Sequence, residues 1–131
     1  MRRPAEQIVL EPLCEQFTVC QLTDFNNADL TRPFTFAAVT DEECSLVCRT
    51  EDVPDNTIAQ EDGWRGFRIA GTLDFSLTGI LAGIADILAE RAVGLFAVST
   101  FNTDYIFVKD ADFQSALELL GQAGYPVNDW H

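Results

Sequence analysis

The chain has 131 residues, 47% of them hydrophobic and 22% charged, which is enough for one globular domain, or two very small ones, to build a core. Eight Lys and Arg against 21 Asp and Glu leave a net charge of −13 at pH 7. The acid is spread along the whole length, so the surface repels phosphate backbones and anionic lipid, and no nucleic-acid or membrane partner is expected.

Residues 1–7 carry Arg2 and Arg3 with no apolar block behind them. They are not read as a secretory signal, and no apolar run approaches the ~18 residues of a membrane span, so a cytoplasmic protein is expected. Four cysteines follow: Cys14, Cys20, Cys44 and Cys48. Their spacing matches neither a zinc ribbon nor a thioredoxin-type pair, and they are read as buried reduced thiols acting as small hydrophobes, with no metal. Cys44 and Cys48 fall on one short strand, about 13 Å apart at two residues per pleat, too far to bridge.

Residues 64–70 alternate aromatic or apolar side chains with Arg65 and Arg68, the pattern of a half-buried strand. Residues 71–78 form a connection. Leu77, Ile80, Leu81, Ile84, Ile87 and Leu88 then recur at three- and four-residue steps and predict an amphipathic helix to about Arg91. Residues 94–101 and 104–108 predict two strands around a turn at Asn102. Asp110 or Asp112 is expected to cap a second helix bearing Phe113, Ala116, Leu117 and Leu120, ended by Gly121 or Gly124. Tyr125-Pro126-Val127 reads as a short last strand. The single histidine, His131, stands last, which leaves no imidazole for a metal or for a Ser-His or Cys-His pair.

This second half has a partner in the first. Residues 35–53 lie over 95–113 without a gap: Phe36-Ala37 on Phe96-Ala97, Thr40 on Thr100, residues 44–49 on 104–109, and Asp52 on Asp112. An earlier match at an offset of 50 sets Cys14, Phe17 and Val19 on Trp64, Phe67 and Ile69. The change of offset means that the first half lacks about ten residues, or three helical turns, after its opening strand. The complete half has the order βαββαβ, a ferredoxin-like unit. The expected fold is therefore α+β: an abbreviated unit over residues 12–60 and a complete one over 61–128, packed as one body with antiparallel sheets.

Two segments of the second half could meet a ligand. Asp74-Phe75-Ser76-Leu77-Thr78-Gly79 leads into the first helix, whose opening N–H groups carry partial positive charge. The segment reads either as an ordinary cap, by Ser76 or Asp74 with a flexible Gly79 in the first turn, or as a seat for a carboxylate. The hairpin at residues 99–105 brings Asp104, read either as a solvated turn residue or as a partner for a ligand ammonium group. The strand–helix connection and the hairpin turn are expected at opposite ends of the sheet, so the strand residues flanking the turn, or a loop of a neighbouring unit, would have to complete any site.

These residues, with Ser99-Thr100-Phe101-Asn102-Thr103-Asp104-Tyr105 and Trp64 in the entering strand, resemble the ACT domain. They are most similar to small bacterial proteins with two tandem ACT units, of the aspartate-kinase-like kind related to the ACT units of the CASTOR arginine sensors. The resemblance spans about residues 16–127. It implies a non-enzymatic regulatory module, without cofactor, that binds an amino acid or similar metabolite at an interface between ACT units, either the two halves of one chain or units of two chains, and a homodimer or other homo-oligomer is expected. Carried over by position, Asp74, Phe75, Ser76, Leu77, Thr78 and Gly79 form the ligand loop, and Thr103 and Asp104 help to enclose the ligand. The chain departs from the commoner Asp-x-x-Gly pattern by setting four residues between Asp74 and Gly79. The alternative reading is an interaction or oligomerisation module with a vestigial pocket. An acylphosphatase-like hydrolase shares the strand order but needs an arginine in the first loop, and residues 71–78 have none.

Overall fold

The computed structural model describes residues 8–71 and 79–128, which fall into two compact units. One is Glu15–Trp64; the other joins the chain's opening through Cys14 to the segment from Arg65 onward. No helix among the described residues is long and apolar enough to cross a membrane.

The second of these units contains β1 (Leu10–Pro12), the end of β5 (Thr57–Ile69), α1 (Ile80–Glu90), β6 (Leu95–Ser99), β7 (Asp104–Lys109) and α2 (Asp110–Gln122). β5 lies between β1 and β7, and β6 closes the far side of β7. Leu10, Phe67, Ile69, Ile106 and Val108 share one face of this sheet and pack under both helices, against Ile84, Leu88, Phe113, Ala116 and Leu120. Strand alternation therefore sends Glu11, Gly66, Arg68, Tyr105 and Phe107 to the other face.

β1 takes an edge that the sequence reading leaves to the C-terminal segment. It pairs antiparallel with β5, Leu10 opposite Ile69 and Glu11 opposite Arg68. Residues 125–127 form no strand of their own: Val127 makes one parallel bridge to Leu10, held by Leu10 N–H to the Pro126 carbonyl at 2.8 Å and Asn128 N–H to the Leu10 carbonyl at 2.9 Å. The cap of α2 also differs from expectation. Lys109 is the N-cap and makes no side-chain capping bond, whereas Asp110 and Asp112 sit in the first turn, where their charge favours the helix dipole. At the other end Gly124, with φ +108°, turns the chain out of the helix.

The Glu15–Trp64 unit holds β2 (Phe17–Leu22), β3 (Phe36–Val39), β4 (Cys44–Arg49) and the first part of β5, in the order β3-β4-β2-β5. Its two hairpin strands repeat the register of the other unit at an offset of 60. Phe36 faces Val47 as Phe96 faces Phe107, and Val39 faces Cys44 as Ser99 faces Asp104. A 3-10 turn, Thr50–Asp52, stands where α2 begins in the other copy. The preceding Arg49 (φ −61°, ψ 144°) matches Lys109 (φ −62°, ψ 146°). In place of the first helix, residues 23–35 form an irregular connection, folded by Asn26 N–H to Asp24 at 2.9 Å and Thr31 N–H to Asp29 at 3.0 Å. The four cysteines are free thiols. Cys20 and Cys48 are buried with Leu22 and Leu46 on one face of this sheet, while Cys14 is exposed.

Candidate functional site

The opposite-ends expectation is overturned by one contact. Thr103, at the β6–β7 turn, is 6% exposed and donates its hydroxyl to the Ile69 carbonyl, at the end of β5, at 2.8 Å. The reason is topological. A helix carries the chain back between β5 and β6, so the two strands run the same way and finish at the same edge of the sheet. The turn that follows β6 is tightened by Thr100, whose N–H donates to the Thr103 carbonyl at 2.8 Å and whose hydroxyl donates to the same oxygen at 3.0 Å. One unit thus brings the end of β5, the start of α1 and the hairpin turn to a common edge.

At the start of α1, Gly79 is itself the N-cap, with φ +80° and ψ −3°. The glycine is explained by this left-handed conformation, not by flexibility within a helical turn. Its carbonyl accepts the Gly83 N–H at 2.9 Å, and a Cβ at position 79 would meet no atom within 4 Å. Asp74, Phe75, Ser76, Leu77 and Thr78 lie outside the described residues. Asp104 pairs across the hairpin with Ser99, whose hydroxyl donates to its carboxylate at 2.6 Å. Because Asp104 has the parity of Ile106 and Val108, it occupies the face that carries the helices. Thr103 and Asp104 therefore lie on opposite faces of the same strand end.

The other face holds side chains that the sequence reading did not single out for binding. Arg68 donates Nε–H to the Glu11 carboxylate at 2.9 Å and Nη1–H to the Tyr105 hydroxyl at 3.3 Å, with its guanidinium 6.0 Å from the Tyr105 ring centre. The Tyr105 and Glu11 bonds both push the guanidinium pKa up from its ordinary value, so its charge is fixed. Glu11, Arg68, Ile69, Gly71, Thr103 and Tyr105, joined by Asn102, line a pocket of about 260 Å³. Glu11 and Arg68 are 57 residues apart, and only the pairing of β1 with β5 brings them together. No group of three metal-ligating side chains among the described residues is placed to hold an ion.

Residues 60–122 match the ACT domain family model. Among solved structures, protein Atu0741 of Agrobacterium tumefaciens is 27% identical with a TM-score of 0.83, covering 100% of this chain and 96% of that one. VC0802 of Vibrio cholerae, a protein of unknown function described as a possible transport protein, is 20% identical with a TM-score of 0.68 and 92% coverage of both chains. The ligand-free regulatory subunit of aspartate kinase from Thermus thermophilus is 8% identical with a TM-score of 0.60, covering 87% of this chain and 95% of that one. No curated protein matches the sequence. At their identities the second and third likenesses concern the fold: an antiparallel α+β arrangement with two helices, as in aspartate kinase regulatory domains.

Proposed function

We propose that this chain, an ACT-domain protein over residues 60–122, is a non-enzymatic regulatory module that binds an amino acid, with a second copy of the chain supplying the ACT unit that encloses the ligand. The observation that carries this reading is the convergence at one sheet edge of the β5 end, the β6–β7 turn and the start of α1, tied by the Thr103–Ile69 bond. A helix start offers unpaired N–H groups and about half a positive charge, which suits an α-carboxylate. Asp104 on the same face offers a carboxylate to the α-ammonium group, and Ser99 holds it in place. Asp74, Phe75, Ser76, Leu77 and Thr78 join this site by resemblance to the ACT ligand loop.

Differential affinity for two arrangements of the ACT units would turn binding into a signal. A thermal-shift panel of the twenty amino acids at millimolar concentration tests the reading. A ligand at 100 times its dissociation constant adds about 2.7 kcal/mol of stability, a rise of several degrees for a domain of this size. Asp104→Ala should then weaken the hit about tenfold or more in calorimetry, because it leaves the ligand ammonium group unpaired. Unchanged affinity removes Asp104 from the site. A panel with no hit favours a protein-interaction module.

A further inference from the structure

In the Glu15–Trp64 unit, β3 is the outer strand of the sheet, with β4 as its neighbour on one side and an open edge on the other. Thr40 N–H donates to the Glu43 carbonyl at 3.0 Å, which makes 40 and 43 a hydrogen-bonded pair. Alternation along the antiparallel ladder then turns the peptide groups of Phe36 and Ala38 towards β4 and those of Ala37 and Val39 outward. Ala37, Ala38 and Val39 are exposed, Val39 to 70%. We propose that this edge is a docking site for an extended, basic segment of a partner protein, which joins the sheet as a further antiparallel strand.

Edges of this kind are normally blunted by a charge, a proline or a bulge within the strand, or covered by another element. Phe36-Ala37-Ala38-Val39 has no charge and no proline, its register with β4 is unbroken, and three of its four residues lie open. The matching edge of the other copy, β6, is half-buried over residues 95–98. The two alanines also leave room on both faces for the side chains of an incoming strand. Charge chooses the occupant. Residues 15–64 carry eleven Asp and Glu against two Arg, a net of −9. Both arginines are drawn to Asp52, Arg32 at 3.3 Å and Arg49 at 2.9 Å from its carboxylate. Asp41, Glu42 and Glu43 stand exposed at the end of β3, in a turn where the Glu42 and Glu43 N–H groups each donate to the Thr40 hydroxyl at 3.1 Å. A second copy would bring the same negative field to the edge and be repelled, whereas Lys or Arg beside an extended stretch is attracted. In antiparallel pairing the incoming strand begins where β3 ends, so its basic residues precede the stretch that pairs. Such a complex takes its affinity from main-chain bonds to Ala37 and Val39 and its choice of partner from the acids. The proposal holds whether or not the chain binds an amino acid.

The probe is a capped peptide, Lys-Lys-Arg-Thr-Val-Thr-Val, added to the full chain, with amide hydrogen exchange read by NMR. In the free protein the Ala37 and Val39 amides should exchange much faster than that of Ala38. The peptide should slow Ala37 and Val39 saturably, by about tenfold or more. The protection should fade as sodium chloride rises from ~0.01 to ~0.15 M. A peptide with Glu in place of its three basic residues should give none, nor should one N-methylated on the amides that face β3, while N-methylation of the opposite edge should be harmless. Ala37→Pro removes one outward N–H without touching the bonds to β4 and should weaken binding about tenfold. If that variant loses its dispersed spectrum, the two N-methylated peptides decide the matter. The proposal is overturned if the basic peptide gives no protection, or if the acidic peptide or the one methylated towards β3 protects equally well. Protection of Ala37 and Val39 that grows with protein concentration alone, with a dimer in sedimentation, would assign the edge to a second copy and overturn the proposal too.

Discussion

Cys48 sits on β4 with no exposed surface, and burial, with a smaller contribution from neighbouring Cys20, pushes its thiol up to about 12. In the unfolded chain the same thiol ionises near its ordinary value of 9.0. Between these values the unfolded state has lost a proton that the folded state keeps, so folding stability falls as pH rises. Denaturant midpoints should hold up to about pH 9 and decline from there towards 12, and Cys48→Ala should flatten that decline. Cys20, also raised by burial, contributes in the same direction. A thiol kept protonated is a poor nucleophile, so Cys48 is a small apolar side chain of the core and not a reactive centre. The free-thiol reading of the sequence holds for all four cysteines, although Cys14 is exposed where a buried thiol was expected.

Among the strands, β5 and β7 approach closely at Gly66. A Cβ there would lie 2.8 and 2.9 Å from two carbons of the Phe107 ring. That ring is fully buried and stacked on Phe96 with centres 4.9 Å apart, so it has little room to retreat. Gly66→Ala should therefore cost about 1–3 kcal/mol in a urea titration, the usual penalty for overpacking. Elements of this kind differ in how well the sequence announces them. The hairpins were legible because local apolar alternation repeats in two copies, and the offset of 60 carries even the cross-strand register. β1 was not. Three residues, Leu10, Glu11 and Pro12, show no period, and their pairing partners lie more than fifty positions away. The pocket between Glu11 and Arg68 was lost with it. Gly79 was legible as a special position but its role was not, since a left-handed N-cap and a glycine inside a helical turn look alike in a string of letters. The opposite-ends error was one of strand direction: a helical crossover returns the chain to run parallel, and Thr103 meeting Ile69 follows from that.

For the molecule as a whole, a charge of −13 on 131 residues is a standing repulsion that compaction increases. Added salt screens it, with a Debye length of ~30 Å at 0.01 M and about 8 Å at 0.15 M. The thermal midpoint should rise with sodium chloride over that range and level off above it; a flat profile would mean that the unfolded chain feels the same repulsion as the folded one. The two-copy organisation could be read from the sequence, but the insertion of one unit within the chain segments of the other could not. Glu15–Trp64 is a contiguous stretch, whereas the other unit takes β1 from before it and the remaining elements from after it. This nesting sets an order of events during synthesis. β1 leaves the ribosome first, yet its partners are Phe67, Arg68 and Ile69 and then Pro126 to Asn128. At about 5–20 residues per second the opening strand waits on the order of ten seconds for the last of them. Residues 15–64 are complete well before that. Leu10 is made well ahead of every segment it pairs with, so it is among the last apolar side chains of its unit to be covered, and through that interval a chaperone or a neighbouring nascent chain can reach it.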